Sequence, residues 1–221
     1  MYRLPIALLI GALIVPASMH FALAQTSTYS DAMGWYEREA GKGSAKAQYF
    51  LGLLYEKGAG PRARDAAQAF GWFEKAAEQG HAKAQFKTGQ AYQFGTGTAV
   101  DHEKAVQWYR RAAGQGVPEA QHNLAYMLEN AVAAARLMDE AVRWYREAAG
   151  QGFGPSQLAL GAVYVRGAGV KRDMSEAWAW LRAAETRNVA DATEARSAIE
   201  KGMTAEQLSQ ARELAKKRIA R

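Results

Sequence analysis

The chain contains no cysteine among its 221 residues. That excludes disulfide staples, a thiol nucleophile and any zinc–thiolate site. A protein of this composition must be stable by packing alone. Histidine is nearly as scarce. Beyond the first 24 residues only His81, His102 and His122 remain. They occupy unequal positions in the repeat described below and form no i, i+4 pair, so the sequence offers no metal site and no proton relay. Phosphate loops are missing too. Gly58-Ala59-Gly60 and Gly95-Thr96-Gly97 follow helical stretches rather than strands, and they lack the third glycine or the lysine.

Only one long apolar run is present, and it lies at the start. Arg3 precedes the 12-residue run 4–15, and Ala22-Leu23-Ala24 places small residues where a signal peptidase reads. A spanning helix needs ~20 apolar residues, and Pro16, Ser18 and His20 interrupt this segment. The pattern predicts a signal peptide over 1–24, cut after Ala24, with no membrane span in the mature chain. Without a cysteine after the run, no lipid anchor is offered. Removing Arg3 leaves 27 Lys+Arg against 22 Asp+Glu, a net charge of +5. The charges are spread along helix faces, which is no nucleic-acid signature.

What the chain does have is a period. Tryptophans stand at 35, 72, 108, 144 and 180, spaced by 37, 36, 36 and 36 residues. A fixed spacing of this length marks a repeat array. Seven residues before a tryptophan stand Thr28, Asp65, Asp101 and Asp173, where a short side-chain oxygen caps a helix start. Thr28 with Asp31, Asp65 with Gln68, and Asp173 with Glu176 carry capping-box spacing or a near variant. In one copy Ala105, Trp108, Tyr109, Ala112 and Ala113 fall at i, i+3, i+4, i+7 and i+8, one buried face that includes the tryptophan. Gly80, Gly116 and Gly152 end these helices.

A second helix type precedes each of these, clearest over 45–55 and 82–92, with Gly161 and Tyr164 anchoring a third copy. Its interior glycine, Gly52, Gly89 or Gly161, costs ~1 kcal/mol relative to alanine. Such a cost at one register indicates a close helix crossing. The unit is helix A, glycine turn, helix B, glycine turn.

The run Ala-x-Ala-Gln-x-x-x-Gly-x-x-Tyr, then Gly-x-Gly, then Asp, then Ala-x-x-Trp-Tyr/Phe-x-x-Ala-Ala, then Gly resembles the Sel-one-like repeat (SLR), a relative of the tetratricopeptide repeat. The resemblance covers residues 28 to about 187. It implies an all-α fold, a right-handed α-solenoid of antiparallel helix pairs with a 36-residue period. The expected division is 1–24 signal peptide, 25–44 an N-terminal capping helix, repeats over 45–80, 81–116, 117–152 and 153–188, and capping helices over 189–221. The third unit departs: Ala125 and Leu128 replace the glycine and tyrosine, and Leu137 replaces the cap. The alanine-rich stretch 131–135 predicts a longer helix or an irregular turn there. Ala190 and Ala192 match the start of a further helix A. Thr204 and Gln207 predict a boxed final helix that ends in a solvated basic stretch, Lys216-Lys217-Arg218.

The resemblance also implies that the A helices line a concave face. Counted from the glycine register, that face holds Tyr49, Phe86, His122 and Leu158 at −3, and Leu53, Gln90 and Tyr126 at +1. Lys46, Lys83, Lys57, Phe94, Asn130 and Arg166 flank them. A hydrophobic and aromatic stripe with charged edges suits an extended peptide or a partner helix. The expectation is a non-enzymatic periplasmic scaffold without cofactor or metal that binds a protein or peptide and no nucleic acid. Proteins with similar repeats act as adaptors in the bacterial envelope. Two alternatives are an enzyme of the kind linked to β-lactam hydrolysis in cysteine-rich relatives, which this cysteine-free chain departs from, and a binder of anionic envelope polymer.

Overall fold

The computed structural model describes residues 34–58, 63–131 and 134–219; the expected signal peptide and the Thr28 cap lie outside them. Every regular element among the described residues is helical. A helical segment over 34–41 (α1) precedes α2 (Ala45–Lys57), α3 (Ala66–Glu78), α4 (Ala82–Phe94), α5 (His102–Gly114), α6 (Pro118–Glu129), α7 (Ala134–Gly150), α8 (Gly154–Arg166), α9 (Met174–Thr186), α10 (Ala192–Glu200) and α11 (Ala205–Ile219). The A helices α2, α4, α6 and α8 pair with the B helices α3, α5, α7 and α9, and each B helix also packs on the next A helix. The result is an α-solenoid.

The caps form as the spacing predicts. The carboxylates of Asp65, Asp101 and Asp173 accept from the amides of Gln68, Lys104 and Glu176 at 3.0, 2.9 and 3.0 Å. The reciprocal half of the box does not form at these sites. Each aspartate's own amide is already used, donating to the carbonyl of Tyr55, Tyr92 or Tyr164 and closing the turn from helix A. At α11 the box is complete: Thr204 N donates to Gln207 Oε1 and Gln207 N to Thr204 Oγ1. Gly80, Gly116 and Gly152 end the B helices in the left-handed region, with φ of 88°, 84° and 82°.

The centre of the core is not the tryptophan ladder. Trp72, Trp108, Trp144 and Trp180 are half-buried, and Trp35 is exposed. The next residue in each copy, Phe73, Tyr109, Tyr145 or Leu181, is 0–3% exposed. On helix B the buried face is centred on Ala105, Tyr109 and Ala112, which leaves Trp108 at its edge. Lys75 lies over the Trp72 ring at 4.3 Å and Arg111 over the Trp108 ring at 4.5 Å, while Trp144 Nε1 donates to Glu140 Oε1 at 3.2 Å. The interior glycines receive the buried ring. A Cβ on Gly52 would stand 2.6 Å from Phe73, on Gly89 2.7 Å from Tyr109, and on Gly161 2.5 Å from Leu181. The close crossing is thus glycine against side chain.

A glutamine ladder ties the units together. Gln48, Gln85, Gln121 and Gln157 are buried, and each donates its amide to a carbonyl of the preceding helix, that of Ala40, Ala77, Ala113 or Ala149. The free Oε1 of the first three accepts from Gln79, Gln115 and Gln151 at 2.6, 2.7 and 2.8 Å. Position 187 carries arginine, and Gln157 Oε1 is left buried without a partner. An unmade buried hydrogen bond costs about 1–3 kcal/mol. Arg187→Gln is therefore expected to raise the melting temperature by roughly 2–4 °C per kcal/mol recovered. A melt unchanged or lowered would show that the ladder does not end in a deficit.

In the third unit the helix lengthens. α7 has 17 residues against 13 in α3, α5 and α9, so Leu137 sits inside it. At the far end α10 begins at Ala192, after Ala190, and α11 packs on α9. Trp178, Ala179, Ala211 and Ala215 form one buried cluster, and Ser175 Oγ donates to Gln207 O at 3.1 Å. Lys216 and Lys217 are exposed as expected. Arg218 is not simply solvated, since it pairs with Glu176 and lies 4.3 Å over the Trp180 ring.

Candidate functional site

The −3 row of the A helices lies between successive units. Tyr49 stacks on His81 at 4.6 Å and meets Phe73 at 5.9 Å. Phe86 meets Tyr109 at 5.9 Å. His122 packs against Tyr145 and Phe153, and its Nδ1 is 2.9 Å from Ser156 Oγ. Leu158 is half-buried, as are Leu53 and Gln90 in the +1 row. These side chains present one edge outward and use the other for packing.

Tyr126 and Phe94 stand apart. They are 52% and 65% exposed, among the few large apolar side chains so placed. Lys46, Lys57 and Lys83 are exposed along the edges. Asn130 is exposed and donates to Tyr126 O at 2.7 Å, while Arg166 pairs with Glu129. Lys87, which the sequence pattern did not single out, bridges both oxygens of Glu56 at 2.9 Å and joins α4 to α2.

Burial pushes the Tyr49 hydroxyl up and holds the imidazoles of His81 and His122 below their usual pKa. A histidine whose pKa falls on folding binds its proton more readily in the unfolded chain. Its contribution to stability is complete above the unfolded value of about 6.5 and declines as pH drops through it toward the folded value. His122→Gln should therefore shrink the loss of melting temperature between about pH 7 and about pH 5. An unchanged pH slope would contradict this burial-linked account.

Two recesses open at equivalent registers, one repeat apart. The smaller, about 280 Å³, is lined by Phe70, Phe73, Lys87, Gln90 and Phe94. The larger, about 800 Å³, lies over Val106, Tyr126, Met127, Leu128 and Leu137, with Gln93, His102 and Asn130 at its rim. The difference has a packing origin. Between α3 and α4 the rings of Phe70 and Tyr92 meet edge-on at 5.3 Å, and the Tyr92 hydroxyl donates to Glu74 at 2.9 Å. One repeat on, the same positions hold Val106 and Leu128. Two smaller side chains leave space and offer no hydroxyl. No group of three metal-binding side chains is found among the described residues.

Four consecutive segments, 45–81, 82–117, 118–153 and 154–188, match the family model of the Sel1 repeat. The chain belongs to the Sel1 repeat family. Among solved structures, this Sel1 repeat chain is similar to a protective antigen of uropathogenic Escherichia coli displaying an SLR fold: 40% identical, TM-score 0.75, covering 85% of this chain and 40% of that one. It is also similar to a Sel1 repeat protein from Oxalobacter formigenes: 31% identical, TM-score 0.65, covering 73% of this chain and 46% of that one. The match thus spans less than half the length of either. Among curated proteins none matches. Sel1 repeats generally mediate protein–protein interaction and are typically non-catalytic scaffolds.

Proposed function

We propose that this Sel1 repeat chain is a periplasmic adaptor that acts without catalysis, holding a protein or extended peptide on the face formed by its A helices. The observation that carries the reading is the exposure of Phe94 and Tyr126 beside two recesses of one register. Tyr126 continues into the apolar lining of Val106, Met127, Leu128 and Leu137. A contiguous exposed apolar surface rimmed by polar residues marks an interaction site, and aromatic anchors beside pockets supply most of the affinity at such contacts. Tyr49, Phe86, His122 and Leu158 would form the floor, and Lys46, Lys57 and Lys83 a basic rim. Export follows from the N-terminal pattern, and no helix among the described residues is long and apolar enough to cross a membrane.

The test is photo-crosslinking in cells, with a benzophenone side chain placed at Tyr126 or at Glu147, which is exposed on α7. A discrete adduct from Tyr126 and none from Glu147, recovered in the periplasmic fraction from a chain that begins at Gln25, is the expected result. Adducts from Glu147 alone, or a cytoplasmic chain that retains residues 1–24, would overturn the proposal.

A further inference from the structure

We infer that the recess over Val106 seats an amphipathic helix of a partner protein, with an acidic side chain directed at Lys104. The inference rests on the protein-binding reading above and adds what the partner presents. Its ground is a precedent within the chain. Ser175, Glu176, Trp178, Ala179 and Trp180 on α9 stand two repeats after Glu103, Lys104, Val106, Gln107 and Trp108 on α5. On α9 this face is covered by α11. Ser175 and Ala179 are 2% and 0% exposed there, whereas Glu103 and Gln107 are exposed on α5. The α11 helix supplies Ala211 and Ala215 to the apolar seam, with Leu208 and Leu214 packed beside them. It also places Arg218 on Glu176 and over Trp180. An amphipathic helix with a small-residue seam is therefore what this register accepts.

The α5 copy differs in two ways, and each says something about the occupant. Val106 stands where Trp178 does, and the recess of about 800 Å³ has room for larger side chains than the alanines of α11. Lys104 stands where Glu176 does, which reverses the charge that the helix must meet. Lys104 is exposed, held 3.4 Å from Asp101 and 5.2 Å over the Tyr92 ring. Complementary charge at a docking surface sets orientation and excludes the wrong partner.

The probe is a fluorescent synthetic peptide of residues 203–219 carrying Arg218→Glu, with the unaltered 203–219 peptide as its counterpart. Both are titrated into the full chain and into Lys104→Glu and Gln107→Arg variants of unchanged helix content. The native chain should bind the Arg218→Glu peptide saturably and more tightly than the unaltered one. Lys104→Glu should reverse that preference, by about tenfold. Gln107→Arg, which places a long side chain over the recess, should weaken binding by at least about tenfold. Absence of saturable binding, or a preference untouched by Lys104→Glu, overturns the inference. So does a homodimer that Gln107→Arg dissolves, because a second copy would then be the occupant. Crosslinking at Tyr126 without peptide binding would overturn the helix seat alone, while absence of crosslinking would overturn the broader reading.

Discussion

Tyr109→Ala is expected to cost about 3–5 kcal/mol. The ring is fully buried and fills the notch over Gly89. Its hydroxyl donates to Gln93 Oε1 at 2.6 Å and accepts from Asn123 Nδ2 at 3.2 Å. Truncation leaves a cavity shared by α4, α5 and α6, and two polar groups lose their partner. At roughly 2–4 °C per kcal/mol for a domain of this size, the melting temperature should fall by on the order of 10 °C. Trp108→Ala should cost less than half as much, although it removes more atoms, because Trp108 already lies partly in water. Circular-dichroism melts of the two variants decide it. A larger loss from Trp108 would return the centre of the core to the tryptophans.

The second large effect belongs to the binding face. Phe94→Ala combined with Tyr126→Ala should reduce the affinity of the crosslinked partner by on the order of 1,000-fold, since anchors of this kind contribute about 2 kcal/mol each and about 1.4 kcal/mol is a factor of ten. Both side chains are exposed, so helix content and melting temperature should hold. Tyr49 and Phe86 are poorer targets, because each also packs between units and its removal mixes stability with binding. Binding kept within threefold by the double variant would remove these aromatics from the interface.

Much of the fold could be read from the period alone. The caps at Asp65, Asp101 and Asp173, the end glycines and the Thr204–Gln207 box are local devices with fixed offsets, and each forms. The longer helix of the third unit follows from its alanines. Other features depend on what a residue faces. A helical pattern places Trp108 and Tyr109 on one side, but only the partner helix decides which of them sits over glycine. The motif glutamine at 48, 85, 121 and 157 recurs with the repeat, but neither its bond to a carbonyl of another helix nor its pairing with Gln79, Gln115 and Gln151 is a local pattern. Arg218 resembles a solvated tail until α11 is placed on α9. The large recess is a missing volume shared by Val106 and Leu128, on two helices 22 positions apart, and no local pattern records it.

The measurement that bears most directly on the account is hydrogen exchange of the chain free and bound to its crosslinked partner. Protection should appear in the C-terminal halves of α4 and α6, over residues 90–94 and 126–130, and the B-helix stretches 110–114 and 146–150 should exchange as in the free chain. Protection confined to the B-helix stretches, with 90–94 and 126–130 unchanged, would contradict a binding face built from the A helices.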